Sequence, residues 1–275
     1  MALLSDDSPY VWSRVREELV RGGGRARVAL ERASRNPDPR VRARARRCLA
    51  DRARQGALRR LVSYGIRNEI DLERALFLLG RLDLPRLDRR PYVRALDAMA
   101  AKVRQRAAHE ADPLARAMIL SQVLGNELGF VGSEADFSHP DNIHLHRAIE
   151  RKRGMPLTLT AIYLFVARRA GIRAAPLALP GRVMLKVQAA GRSILVDPFH
   201  GGRLRTRGDL VRYLAEHGLV ARAESFHDAS DASLLQRHVL NLMSSCQTRG
   251  LLREARELER VAAAIGRAHG GAPRN

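Results

Sequence analysis

From Pro156 to Ala170 the chain is apolar on nearly every helical face. Leu157, Leu159, Ala161, Ile162, Leu164, Phe165 and Val166 leave Thr158, Thr160 and Tyr163 as polar interruptions before the pair Arg168 and Arg169. A helix of this kind has no side to give to water, so it belongs at the centre of a domain with other elements packed around it. Pro156 in its first turn and Gly171 just beyond its last are the expected start and stop residues. The nearly uninterrupted apolar run, Ala161 to Ala167, falls far short of the roughly 20 residues that cross a bilayer. No membrane span is expected.

After Gly171 the hydrophobic period changes from helical to strand-like. Ala174 to Leu179, Val183 to Val187 and Ser193 to Val196 read as strands, the last two joined through Gly191 as a hairpin. A buried helix followed by antiparallel strands predicts an α+β core, the helix packed on a small sheet. Helices are expected on both sides of it. Upstream, Ile70 to Ala107 holds two, with Asp71 as N-cap, a core face of Leu72, Ala75, Leu76 and Leu79, and Pro85 in the turn between them. Pro113 to Glu127, ending at Gly129, is a third. A turn-rich loop through Gly132–Asp136 and His139–Asn142 then leads to a fourth, Ile143 to Lys152. Downstream, Leu204 to Leu214 is helical, Ser233 to Cys246 and Leu251 to Ile265 form a closing antiparallel pair around Gly250, and Gly270 to Asn275 should fray.

Charge divides the chain unevenly. Residues 1–67 hold 17 arginines against seven acidic residues, half of the formal net charge of +20. Clustered cations attract nucleic acid or anionic lipid through counterion release. Yet Lys102, Lys152 and Lys186 are the lysines, and so strong an arginine excess is also what a GC-rich genome gives; the plainer reading is a solvated arginine-rich surface. With aromatics at 4%, base-stacking platforms are scarce and any nucleic-acid contact would be to phosphate alone. Within this segment a helix over Ala29–Arg35 ends at Asn36-Pro37-Asp38-Pro39, and in the next helix Val41, Ala45, Cys48 and Leu49 make one apolar stripe among arginines. The pattern resembles a HEAT-type hairpin, which cannot bury its stripe alone and should dock on the next domain. The closing helical pair resembles a TPR unit. The expected organisation is 1–67 arginine-rich and HEAT-like, 68–228 the α+β domain, 229–270 the TPR-like pair.

Cys48 and Cys246 lie far apart in helical segments, with no CxxC pair and no histidine at metal-ligand spacing, so neither a disulfide framework nor a zinc site is expected. His144 and His146, two positions apart in a helix, point to different faces, which argues against a shared metal. Acidic Asp6 and Asp7 stand where a signal peptide would carry a basic region; the expected location is the cytoplasm.

Three further segments carry chemistry: Arg153-Gly154-Met155-Pro156-Leu157-Thr158-Leu159, Pro180-Gly181-Arg182-Val183 and Asp197-Pro198-Phe199-His200-Gly201-Gly202. Together with Gly129-Phe130-Val131-Gly132 and Asp141-Asn142-Ile143-His144-Leu145, in this order, they resemble the SirB-type branch of the bacterial transglutaminase-like proteins, over residues 70–265. The resemblance implies a papain-like core in which a cysteine opens the central helix, a histidine lies on the first hairpin strand and an aspartate on the next. Such a triad needs all three: the thiolate attacks an acyl carbon, the imidazole moves the proton and the carboxylate fixes the ring. Here the cysteine position falls on Pro156, which has no nucleophile, and the histidine position on Arg182, whose guanidinium stays protonated and cannot serve as a base. Asp197 remains.

The candidate cleft therefore comprises Arg153, Thr158, Arg182, Asp197 and His200. An Arg182–Asp197 pair could replace the His–Asp contact as a structural ion pair, present a cation to an anion, or serve residual catalysis. A Thr158 or Thr160 hydroxyl with His200 as base is a further arrangement. Cys246 reads as core. The expected function is a non-catalytic protein-interaction or regulatory module with no cofactor, its partner a protein. The alternatives are a cysteine-independent hydrolase or acyltransferase, or nonspecific nucleic-acid binding by the arginine-rich segment.

Overall fold

A computed structural model describes residues 4–189, 192–222 and 226–269. Its first three helices are α1 (Pro9–Arg21), α2 (Gly24–Ala33) and α3 (Pro39–Gly65). Ser8 and Asp38 cap α1 and α3 through their side chains, each followed by a proline at the first helical position. The stripe Val41, Ala45 and Cys48 is buried with Leu4, Val20, Leu30 and Ala33 in a small core of its own. α1 and α2 thus cover the stripe, which was expected to dock on the next domain. α3 reaches that domain by its length instead: at 27 residues it carries Ala57, Leu61 and Tyr64 into the main core.

The main core begins with α4 (Leu72–Gly80), whose N-cap Asp71 accepts from the Arg74 amide at 2.9 Å. α5 (Arg90–Arg106) and α6 (Pro113–Ser121) follow, and α6 runs on as a π-helical turn over Gln122–Glu127. A two-residue strand β1 (Val131–Gly132) precedes α7 (Pro140–Ile143), α8 (Leu145–Arg151) and β2 (Arg153–Gly154), which pairs with β1 in parallel. The expected helix from Ile143 to Lys152 is thus cut in two. His144 is extended (φ −73°, ψ 125°), and the Ile143 carbonyl released at the break accepts from Thr158 Oγ1 at 3.1 Å.

The apolar segment forms α9 (Pro156–Arg169), buried from Pro156 to Ala167 on every face. Each fully buried Leu, Ile or Phe contributes about 1.5–3 kcal/mol, so Leu159, Ile162, Leu164 and Phe165 make this helix a principal source of stability. Its polar residues are spent internally: Thr160 Oγ1 donates to the Val183 carbonyl at 2.9 Å, Arg168 pairs with Asp231, and Arg169 pairs with Glu73 and Asp97. The antiparallel sheet then comprises β3 (Ala174–Leu179), β4 (Arg182–Ala189), β5 (Arg192–Asp197) and β6 (Arg203–Arg205), in that order. The turn at Gly191 lies outside the described residues. Val183, Leu185, Val187 and Val196 face α9 and the main core. Met184 and Leu195, with Leu177 and Leu179, face the opposite side, where α10 (Arg207–Glu216) covers them with Leu210 and Leu214. Leu204, expected in a helix, is in β6; α10 starts only after Thr206, which forms a capping box with Asp209.

α11 (Asp231–Thr248) and α12 (Leu252–Ala268) turn around Gly250, whose φ of +71° favours glycine. They pack on α3 and α4, and Arg54 of α3 joins Glu257 of α12 at 3.1 Å. The fold is α+β, a central helix on a small antiparallel sheet enclosed by helices. The expected fraying at Gly270–Asn275 lies outside the described residues. No helix among these is long and apolar enough to cross a membrane.

Candidate functional site

Pro156 at the start of α9, Arg182 at the start of β4 and Asp197 at the end of β5 converge at one end of the sheet. Pro156 and Arg182 line a cleft of about 520 Å³ with Phe137, Phe199, Arg205 and Tyr213; Asp209, Arg212, Glu216 and His217 form its α10 side. Asp197 lies beneath, fully buried. Four contacts converge on a single oxygen of its carboxylate, Oδ2: His200 Nδ1 at 2.8 Å, Arg205 Nε and Nη2 both at 3.2 Å, and Arg182 Nη1 at 3.8 Å. Among the described residues Oδ1 has no hydrogen-bond partner, and neither has the buried phenol of Tyr163. Burial, with the Asp197 charge adding to it, pushes that phenol far above its ordinary range.

Arg182 and Asp197 therefore form an ion pair without a hydrogen bond. The guanidinium of Arg182 lies instead over the Tyr213 ring, 4.6 Å from its centroid, an attraction of the ring face for a cation. The groups that hold Asp197 are His200, three residues on in the same loop, and Arg205. Sequence reasoning missed Arg205 because it placed residue 204 in a helix; β6, which pairs Leu195 with Arg205 and Asp197 with Arg203, is what brings Arg205 across.

The loop of His200 is seated by glycines. A Cβ on Gly125 would overlap the Gly201 carbonyl, and one on Gly132 would overlap the Phe199 ring. These contacts give physical duties to the π-helical turn and to Gly129-Phe130-Val131-Gly132. Asp141-Asn142 has a similar duty: the Asn142 carbonyl accepts from the Met155 amide at 3.0 Å and its side chain donates to Asp136 at 2.8 Å, fixing the approach to Pro156.

Two residues expected in the cleft lie elsewhere. Arg153 is exposed on β2. Thr158 is fully buried with its hydroxyl given to Ile143, as that of Thr160 is given to Val183, so neither threonine presents a free nucleophile to His200. Cys48 and Cys246 are buried away from the cleft, in the small and the main core. Burial pushes both thiols up, Cys48 to about 11, away from the thiolate that nucleophilic attack requires.

His144 and His146 do not diverge as two positions of one helix would, because of the break at His144. Their rings lie 5.5 Å apart. His144 Nε2 bonds Asp83 Oδ2 at 2.7 Å, and His146 meets the ring of Tyr92 edge-on. Burial, helped by His144, pushes His146 down to about 4. No group of three or more His, Cys, Asp or Glu that could hold a metal is assembled among the described residues.

The comparisons with known proteins meet this geometry. Residues 90–240, from α5 into α11, match the family described as the transglutaminase-like superfamily. The UPF0162 protein of Xylella fastidiosa (strain 9a5c) is 30% identical over 138 residues, 48% of this chain and 49% of the relative. The UPF0162 protein of Vibrio cholerae is 25% identical over 152 residues, 54% of each. F-box only protein 21 of Mus musculus is 27% identical over 140 residues, 48% of this chain but 22% of that protein. The chain thus spans about half the length of these bacterial relatives. No solved structure matches it significantly. With more than half of its residues inside the family match, the chain belongs to the transglutaminase-like superfamily.

Proposed function

We propose that the protein is a non-catalytic member of the SirB-type branch, a cytoplasmic interaction module that holds a partner protein. The observation that supports this reading is that Pro156 and Arg182 line one cleft, with Arg182 3.8 Å from Asp197; on the resemblance, a permanent cation then takes the base position and a proline ring the nucleophile position. Neither can take part in acyl transfer. What the cleft offers is recognition. Arg182 and Arg205 supply guanidinium groups above a single buried carboxylate, beside an apolar wall of Pro156, Phe137 and Phe199 whose two rings meet edge-on with centroids 6.3 Å apart. An acidic side chain of a bound peptide, flanked by an apolar one, suits such a surface. The HEAT-like α1–α3 and TPR-like α11–α12 would extend it. In acyl-transfer, amidase and esterase assays with broad peptide and ester panels, the protein should show no turnover. Turnover that vanishes in Asp197→Ala would overthrow the reading.

A second reading draws on one distance. His200 Nδ1 at 2.8 Å from Asp197 Oδ2 leaves its other nitrogen able to accept a proton, the layout of a dyad that activates water for hydrolysis. It predicts hydrolysis that is lost in His200→Ala. The same panels decide it, since silence toward every ester and amide refutes the dyad. Nucleic-acid binding by residues 1–67 gains less support: Arg16 pairs with Asp51, Arg40 with Asp7, and Arg44 and Arg52 donate to backbone carbonyls, so much of that charge is committed within the fold.

A further inference from the structure

A second concave site lies well apart in sequence from the Asp197 loop, between the C-terminal half of α3, the turn after it and α4. It encloses about 540 Å³. Six arginines line it: Arg59 and Arg60 on α3, Arg67 just beyond that helix, Arg74 on α4, Arg81 at its C-cap and Arg89 at the N-cap of α5. No carboxylate is among its lining residues. The guanidinium groups of Arg67 and Arg74 both lie over the ring of Tyr64, 4.7 and 5.2 Å from its centroid.

Several arginines elsewhere in the fold are paired with acids instead. Arg54 meets Asp83 and Glu257, Arg147 meets Asp141 and Glu150, and Arg169 meets Glu73 and Asp97. Around the cleft, by contrast, three nearby acids are engaged with other groups. Glu73, on α4 itself, reaches Arg169; Asp88, next to Arg89, pairs with Arg90; Asp71 caps the Arg74 amide. A solvated basic helix face would be convex and laced with acids. Here cations of α3, α4 and the residues flanking them converge on a hollow, where an anion from outside would relieve their mutual repulsion.

We propose that this cleft is a binding site for a compact, multiply phosphorylated small molecule. Arg81 donates to the Leu87 carbonyl at 3.3 and 3.2 Å; the five other guanidinium groups still exceed what one monovalent anion can engage, and planar bidentate donors match phosphate oxygens. The volume falls in the range of small-ligand pockets, roughly 300–1,000 Å³. An extended nucleic acid fits less well: Tyr64 is buried and already carries two guanidinium groups, and Phe77 is buried, so the site offers no free ring for a base to stack on.

The test is calorimetric titration of the full chain with inorganic tripolyphosphate, with orthophosphate and a short single-stranded oligonucleotide as competitors. Tripolyphosphate should saturate one site, and R67Q/R74Q should weaken it about tenfold or more, a loss of about 1.4 kcal/mol. Because Arg74 lies against Tyr64, the rim pair R60Q/R89Q serves as a second variant with the same expectation, and melting curves check that both are folded. R46Q/R47Q, exposed on α3 outside the cleft, should leave binding unchanged. Equal loss in R46Q/R47Q, absence of saturation, or displacement by orthophosphate at equal concentration would overturn the proposal. Tighter binding of the oligonucleotide would overturn it too, and would assign the face to a nucleic-acid backbone.

Discussion

Gly125 and Arg205 show how much of the candidate site is decided by single residues outside the expected triad. In Gly125→Ala, the new methyl would meet the backbone carbonyl of Gly201, which no rotamer change can move aside. The cost should be about 1–3 kcal/mol, as for other overpacked sites. For a domain of this size that is a drop in melting temperature of several degrees, roughly 2–4 °C per kcal/mol, and an unchanged melting curve would contradict the contact. Arg205 donates to a carboxylate that is fully buried. Arg205→Met keeps the apolar stem but leaves Asp197 with His200 and the more distant Arg182, so it should destabilise by about 3 kcal/mol or more in urea unfolding at pH 7. Arg182→Met, removing a 3.8 Å pair with no hydrogen bond, should cost clearly less; equal losses would show that the two arginines share the carboxylate evenly.

At the scale of elements, α8 and α11 each bury an imidazole, His146 and His238. His146 is pushed down to about 4 by burial and by His144, and His238 on α11, fully buried, is pushed down to about 4 by burial. Between the ordinary imidazole range near 6.5 and about 4, the unfolded chain binds these protons and the folded one does not. Stability is therefore complete above about pH 6.5 and falls as pH falls, on the order of 3 kcal/mol per group by pH 4. Asp83 acts in a lower window. Burial alone would raise its value, but hydrogen bonding and charge from His144, with Arg54 and Arg249 nearby, hold it below 3.8. The urea midpoint should thus decline from pH 7 to 4.5, and the decline should flatten in His146→Gln/His238→Gln. An unaltered slope would show that other groups set it.

For the whole molecule, the decisive fact is that α3 belongs to two cores. Its first half closes the small core with α1 and α2, and its second half supplies Ala57, Leu61 and Tyr64 to the main one. The main core also draws on Leu72, Leu76 and Leu79 of α4 and on Leu258, Val261 and Ile265 of α12, all outside the residues 90–240 of the family match. A chain beginning at residue 50 should melt cooperatively, since it keeps every main-core residue. One beginning at residue 68 should lose near-ultraviolet circular dichroism and cooperativity, because the hollow left by Leu61 and Tyr64 exposes α4 and α12. Equal behaviour of the two would show that α3 is dispensable.

The sequence by itself determined the central helix and the sheet it lies on. A segment apolar on all faces between Pro156 and Gly171 can satisfy its surface only by burial, and the strand-period runs after it supply a face to cover it. It also singled out Pro156, Arg182 and Asp197, which the structure brings to one end of the sheet, because those positions sit at the ends of elements whose limits proline and glycine mark. Tertiary structure alone decided the rest. β6 is three residues long and makes no periodic signal, so Arg205 became a partner of Asp197 only through pairing with β5. Thr158 was drawn inward by a carbonyl freed at a break that no local propensity announces. The arginine-lined hollow, too, is invisible along the chain: a run of charge reads alike whether its guanidinium groups point apart into water or converge, and only the packing of α3 against α4 settles which.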